Sequence, residues 1–280
     1  MLNSPGIIVA PGAYDGISAR LIERQGFKVV YMTGAGTAAS ALGQPDIGLT
    51  TLTEMTTHAA HIASCVSLPV IADADTGYGN ALNVIRTVRE YERAGVAAIH
   101  LEDQVSPKRC GHIAGKAVIP AREFAEKIRA ASENRTDPDF VIIARTDARA
   151  VNGLDDAIER ARMYREAGAD VIFVEAPTSR EEIERIVKEV KAPLLSNQVP
   201  GGRTPALTVS ELEQLGYKIV IFPAVGFMAA TLAIEKALAD LKTTGTDWRE
   251  GEPVLSPFEI FQKVGIDAWL DLERKYSKNN

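Results

Sequence analysis

The sequence predicts an α/β protein in which eight parallel strands close into a (β/α)8 TIM-type barrel, with an extra C-terminal helix after the last strand. Three observations predict it. Four segments, ERQGFKVVYMTG, ERAGVAAIHLED, REAGADVIFVEA and EQLGYKIVIFPA, each repeat a helix tail, a glycine and a short β-rich run. A glycine at that point suits the left-handed residue that ends a helix. Four further apolar runs, GIIVAPGAYD, LPVIADADTGYG, FVIIARTDAR and APLLSNQVPGG, alternate with the first four. Finally, each run is continuously apolar, the pattern of parallel strands covered on both faces.

In chain order the strands are expected near Ile7, Val29, Val70, Ile99, Ile142, Ile172, Leu195 and Val220. The helix tails at Gly26, Gly95, Gly168 and Gly216 lead into the second, fourth, sixth and eighth of them. Before the third, HIASCVSLPV ends an apolar helical pattern, so Cys65 reads as a buried small hydrophobe. Between the third and fourth, Asn83–Tyr91 puts Val84, Val88 and Tyr91 on one helical face with charges opposite. After the eighth, Ser256-Pro257-Phe258-Glu259 opens a helix expected to run through Tyr276, with Ser as N-cap, Pro in the first turn and Glu at the capping-box position. Its apolar residues Phe258, Phe261, Val264, Ile266, Trp269 and Leu270 need a covering surface, which a neighbouring subunit would supply. A doubly wound open sheet is the competing arrangement, and eight strands with intervening helices favour the barrel. No linker or composition break asks for a second domain, so residues 1–280 read as one barrel domain with a helical extension over 253–280.

Composition narrows the function classes. The 280 residues are 46% hydrophobic and 24% charged, which excludes a disordered, collagen-like or disulfide-scaffold chain. A net charge of −6 without a Lys/Arg cluster argues against nucleic acid as partner and for a small molecule. No apolar run approaches the roughly 18 residues of a membrane span, and the first residues lack a signal-peptide pattern. A cytoplasmic location is therefore expected, with Cys65 and Cys110 as free thiols.

In a barrel, chemistry is placed where the strands end. Those ends carry Asp15, the Tyr31–Gly36 stretch, Asp73, Asp75, Glu102, Asp103, Arg145, Asp147, Glu175, Asn197 and Pro223. Any single acid there is explained as well by helix capping or solvation; the whole set is not. Asp73 and Asp75, two residues apart, with Glu102 on the next strand end, suit a hard divalent ion such as Mg²⁺, which accepts one or two carboxylates and keeps waters. No His–Cys spacing suits zinc. Thr33-Gly34-Ala35-Gly36-Thr37 is read as a small-residue loop whose N–H groups cradle an anionic oxygen, with a plain tight turn as the competing reading. It does not fit a dinucleotide fingerprint. The polar stretch Gln104–Lys116, containing Lys108, Arg109, Cys110, Gly111 and His112, reads as a lid. A cysteine beside Lys and Arg is expected to sit in positive potential that favours thiolate.

As an ordered set, YMTGAGTAASALGQPD, VIADADTGYGN, IHLEDQV, PKRCGH, IIARTDA and Asn197 resemble the isocitrate lyase and phosphoenolpyruvate mutase superfamily across nearly the whole chain. PKRCGH resembles its short carbon–carbon lyase branch, which includes 2-methylisocitrate lyase, 2,3-dimethylmalate lyase and the petal death protein. The resemblance implies Mg²⁺, with Mn²⁺ as a substitute, held largely through water by Asp46, Asp73, Asp75 and Glu102. It implies substrate oxygens at Tyr31, Thr33, Gly34 and Ala35, with the lid residues Lys108, Arg109 and Gly111 and the strand-end Arg145 and Asn197 also at the substrate. Cys110, Arg145 and His112 are then the catalytic residues, Cys110 as acid and base. A homotetramer with exchanged terminal helices is implied as well. The activity implied is retro-aldol cleavage of a 2-hydroxy di- or tricarboxylate to a 2-oxo acid and a carboxylate. Carboxyphosphoenolpyruvate phosphonomutase, oxaloacetate hydrolase and a non-catalytic ligand-binding scaffold are the alternatives. One departure stands out: Asn197-Gln198-Val199-Pro200-Gly201-Gly202-Arg203-Thr204-Pro205 has proline where relatives carry glutamate, removing a carboxylate and fixing φ.

Overall fold

The computed structural model describes residues 1–248, 251 and 253–277. Its strands are β1 (Ile8–Ala13), β2 (Val30–Met32), β3 (Val70–Asp73), β4 (Ala98–Glu102), β5 (Val141–Thr146), β6 (Val171–Val174), β7 (Leu194–Asn197) and β8 (Ile219–Phe222). They follow one another round a closed barrel. All neighbours pair in parallel, and β8 returns to β1 with Ile8 opposite Ile219. Six of the expected strand centres lie inside these spans, while Ile7 and Val29 fall one residue before.

The helices are α1 (Gly16–Arg24), α2 (Gly34–Thr37), α3 (Leu52–Cys65), α4 (Ala81–Arg93), α5 (Ala121–Asn134) and α6 (Ala148–Val151). After these come α7 (Leu154–Glu166), α8 (Arg180–Glu189), α9 (Val209–Leu215), α10 (Val225–Thr244), α11 (Pro257–Lys263) and α12 (Ile266–Tyr276). The glycines at the helix tails are all left-handed, with φ of +82° at Gly26, +81° at Gly95, +109° at Gly168 and +103° at Gly216. On α4 the buried residues are Val84, Thr87, Val88 and Tyr91, the face expected from the spacing.

The strand pleat divides the apolar residues into two cores. One set, including Met32, Ala72, Ile99, Leu101, Ile142, Ala144, Ile172 and Val220, packs outward against the helices. The alternate set, including Tyr31, Ile71, Ala98, Ile143, Phe173, Leu195 and Ile221, fills the barrel interior.

The chain divides into two compact units, residues 1–227 and 228–280. In the second, Ser256 caps α11 with the expected Pro and Glu259. The single helix expected through Tyr276 is broken, because Gly265 takes φ +90° and caps α12 instead of continuing α11. Phe258, Phe261 and Trp269 are exposed, Trp269 at 71%, and α11 and α12 bury no residue. The last three residues of the expected extension, 278–280, lie outside the described residues. Among the described residues no helix is long and apolar enough to cross a membrane.

Candidate active site

Pleat parity explains which strand-end groups meet. Two residues beyond an interior position the chain faces inward again. Asp73 thus follows Ile71, His100 and Glu102 follow Ala98, Arg145 follows Ile143, Glu175 follows Phe173, and Asn197 follows Leu195. Register sets Glu102 opposite Arg145 and Asp73 opposite His100. Asp103 has the opposite parity and turns towards the helices. There it accepts from Tyr164 Oη at 2.8 Å, Arg160 Nη1 at 3.1 Å and Thr146 Oγ1 at 2.7 Å, a structural hub outside the mouth. Asp15 is spent on capping α1, accepting from Ser18 N at 2.8 Å.

On one side of the mouth, four acids surround Lys108. Its ammonium lies 2.5 Å from Asp46 Oδ1 and 2.8 Å from Asp75 Oδ1, with the side chain almost wholly buried. Burial alone would lower the Lys108 pKa; Asp75, Glu102, Asp73 and Asp46 outweigh it and hold it well above the lysine value. Burial lifts Asp75 to about 6 against the opposing pull of Lys108. Burial likewise pushes Glu102 well up, and neither of its oxygens has a hydrogen-bond partner. Asp73 stays below the usual carboxylate range because His100, Lys108 and Arg145 outweigh its burial.

Hard, buried oxygens of this kind fit a divalent cation. Among the described residues no three acid, His or Cys side chains converge closely enough to ligate one ion directly. Lys108, expected at the substrate, is seated on the acids instead.

Across the mouth, Arg145 holds three carboxylates. Its Nε donates to Asp147 Oδ2 at 2.9 Å, while Nη1 lies 3.2 Å from Glu102 Oε2 and Nη2 lies 3.5 Å from Glu175 Oε2. The guanidinium carbon stands 5.2 Å from the Phe173 ring centre. Burial would raise Asp147, but Arg145 and Lys116 bring it down to about 2. Tyr31 Oη and His100 Nε2 are 2.7 Å apart, and burial pulls the His100 pKa below its ordinary value against the opposing pull of Asp73.

The Gln104–Lys116 segment lies closed over this array. Gln104 grips its far side, donating to Arg109 O at 2.8 Å and accepting from Arg109 N at 3.0 Å. Cys110 N donates to Asp46 O at 3.1 Å, and Lys116 Nζ reaches Asp147 Oδ1 at 2.7 Å. A Cβ on Gly111 would stand 2.5 Å from Arg145 Nη2, so only glycine lets the segment settle this low. His112 Nε2 lies 3.8 Å from Glu175 Oε1 and 3.4 Å from Asn197 Nδ2. Its Nδ1 accepts from Arg203 N at 3.4 Å. Pro200 is exposed on that same β7–α9 loop, which therefore meets His112 through the main chain.

Two expectations change here. Arg109 is exposed, and its guanidinium turns to Ala114 O at 3.5 Å, away from the mouth. The Cys110 thiol is raised above its ordinary value by burial and Asp46, and the pull of Arg145 and Lys108 does not reverse this. Cys110 is a thiol in this state, because Lys108 is already matched by acids and Arg109 faces outward.

The Thr33–Thr37 stretch is a short helix in place of the expected loop. It forms α2, where Thr33 caps the helix by accepting from Gly36 N at 3.3 Å, and continues into a π-helical turn over Ala38–Leu42. Gly34 packs directly on the acid cluster, since a Cβ there would stand 2.3 Å from Asp73 Oδ2. Gly34→Ala is expected to cost about 1–3 kcal/mol of stability through this overlap. Thermal unfolding reads the cost, and an unchanged Tm would mean that Asp73 moves aside freely.

Three groups were not given roles from sequence. His100 lies inside β4, not after it, and is found only by counting back two residues from Glu102. Glu175 and Asp147 stand among the rim acids, but their place around Arg145 comes from three-dimensional packing.

The pattern of the phosphoenolpyruvate phosphomutase family matches residues 1–242. The chain is 48% identical to 2,3-dimethylmalate lyase of Eubacterium barkeri, over 99% of this chain and 96% of that protein. It is 47% identical to 2-methylisocitrate lyase of Aeropyrum pernix, over 99% and 89%. Among solved structures, oxaloacetate acetylhydrolase with 3,3-difluorooxalacetate superposes with a TM-score of 0.94 at 42% identity, covering 98% of this chain and 94% of that one. Phosphonopyruvate hydrolase with oxalate and Mg²⁺ gives 0.87 at 34% identity, covering 97% and 95%.

Proposed function

Because this chain belongs to the phosphoenolpyruvate phosphomutase family and to its short carbon–carbon lyase branch, we propose that it cleaves a 2-hydroxy di- or tricarboxylate, of the substituted malate or 2-methylisocitrate type, into a 2-oxo acid and a second carboxylate. One observation carries this reading. A half-buried thiol, its pKa raised above the ordinary value, is carried by a segment that seats on Arg145 and on Asp46, which would put an oxyanion-binding side and a proton-donating side at one closed mouth.

Asp46, Asp73, Asp75 and Glu102 are the residues that would hold Mg²⁺ through its waters. Bound there, the ion supplies positive charge beside the oxygens of the 2-hydroxy acid portion. Arg145 supports the same charge from the opposite strand end. The C2 hydroxyl loses its proton, and the Tyr31–His100 pair is the relay available at that depth. The C2–O bond becomes a carbonyl as the C2–C3 pair departs onto the leaving carboxylate fragment. Cys110 Sγ–H protonates that carbon, leaving a thiolate that regains a proton in the next cycle. Closure of the 104–116 segment excludes water, which would otherwise quench the carbanion without control. Substrate carboxylates would be met by donors here, His112 Nε2 and Asn197 Nδ2, which lie 3.4 Å apart.

A panel of 2-hydroxy di- and tricarboxylates, scored for Mg²⁺-dependent 2-oxo acid release, tests the reading. EDTA is expected to stop release, and Mg²⁺ or Mn²⁺ to restore it. Phosphonate chemistry, followed by phosphorus NMR, needs no thiol acid and would survive loss of Cys110; that outcome would replace the lyase reading. The exposed Phe258, Phe261 and Trp269 are covered, in this reading, by further copies of the chain in a homotetramer. A monomeric mass in solution would reject that part alone.

A further inference from the structure

The turn that carries Asp75 is strained and is held by side chains from two helices. Asp75 and Tyr78 take φ of +47° and +58°, with Gly77 at +83° and Gly79 at +146° on either side of Tyr78. Left-handed backbone is unfavourable for non-glycine residues and persists only when their surroundings enforce it. Here the carbonyls of the turn are secured one by one. Tyr91 Oη on α4 donates to Asp73 O at 2.8 Å, Glu102 N to Asp75 O at 2.9 Å, and Thr87 Oγ1 on α4 to Gly77 O at 3.1 Å. Thr76 O, directly after Asp75, is held at 3.0 Å by Lys127 Nζ from α5.

Lys127 is the unusual member of this set. It is 6% exposed and forms no ion pair within 4.0 Å among the described residues. Burial pulls its ammonium below the ordinary lysine value, and Glu123, one turn earlier, offsets this only in part. Burying an unmatched cation is expensive, and a neutral apolar residue would fill a helix face at less cost. Lys127, Thr76, Asp75 and Lys108 line one recess of about 570 Å³, which places the ammonium on the outer flank of the acid cluster.

We propose that Lys127 is a positioning residue: it clamps the Thr76 carbonyl, fixes the 75–79 turn and thereby aims the Asp75 carboxylate at a hydrated divalent cation. The second half of this statement rests on the metal reading given above; the clamp itself does not. Partners that orient metal-binding groups typically change metal affinity by about 10–100-fold when removed.

The test uses the full-length protein and three variants, Lys127→Met, Lys127→Gln and Lys127→Arg. It reads Mn²⁺ binding by electron paramagnetic resonance, amide exchange over residues 75–79, and Tm. Lys127→Met is expected to weaken Mn²⁺ binding about 10–100-fold and to speed exchange across the turn, while Lys127→Arg, which keeps a donor, restores both. Should the methionine variant fail to fold, Lys127→Gln answers the same question. Wild-type Mn²⁺ affinity with unchanged exchange in either neutral variant overturns the proposal. If the wild type takes no Mn²⁺, the metal reading falls, and exchange over 75–79 alone decides the clamp.

Discussion

Replacing Cys110 by alanine is expected to lower kcat by about 10²–10⁴-fold, the contribution of a positioned general acid, while leaving the binding of oxalate with Mg²⁺ nearly intact. The asymmetry follows from where the side chain sits. Its backbone N–H bonds to Asp46 O, and the neighbouring Gly111 packs on Arg145, so closure of the segment is built from main chain and does not use sulfur. The alanine variant therefore still closes but has no proton to give. Serine is expected to be nearly as inactive, because a hydroxyl is a far weaker acid than a thiol that burial holds in its protonated form. The check is 2-oxo acid release at saturating substrate beside calorimetric titration with oxalate. An alanine variant that turns over like the wild type would remove Cys110 from the mechanism. One that loses oxalate binding in parallel would assign the residue to closure instead of proton transfer.

The fold was legible because its information is local and repeated. Four helix tails end on a left-handed glycine, and the strands are short, largely apolar and mostly end beside a polar residue. The site was legible in outline for the same reason, since a barrel brings all its strand ends to one mouth. What sequence could not supply was direction. Asp103 and Glu102 are adjacent in the chain and equally acidic, yet one faces Arg160 and Tyr164 and the other faces Arg145. Lys108 and Arg109 are likewise adjacent, yet one is buried among acids and the other lies in solvent. The expectation of a thiolate at Cys110 counted both cations by proximity in sequence. In space their field is cancelled by Asp46 and Asp75 or points away. The break between α11 and α12 was missed because apolar spacing continues across Gly265, and periodicity does not register a reversal of φ.

Arg145 is the position where substitution should be most damaging, and the choice of replacement separates its two duties. Its guanidinium meets Asp147 through Nε, Glu102 through Nη1 and Glu175 through Nη2. Arg145→Met would leave these buried carboxylates facing one another, with Lys116 on Asp147 as the remaining cation in direct contact. Breaking a buried pair in this way costs about 3–5 kcal/mol, so a lowered Tm and loss of turnover are expected together. Arg145→Lys keeps the charge but offers one compact ammonium in place of a rigid planar fork. It cannot reach three carboxylates set around a plane, and it presents no second edge to substrate oxygens. Stability should then be largely retained while kcat falls by about 10²–10³-fold, the usual loss when one preorganised donor to a developing oxyanion is removed. Thermal unfolding and steady-state kinetics on both variants make the check. Near-normal turnover in the lysine variant would show that Arg145 serves only to neutralise Glu102, Asp147 and Glu175, and the oxyanion role would have to pass to another group. A lysine variant as unstable as the methionine one would show instead that the fork geometry, not the charge, holds this end of the barrel together.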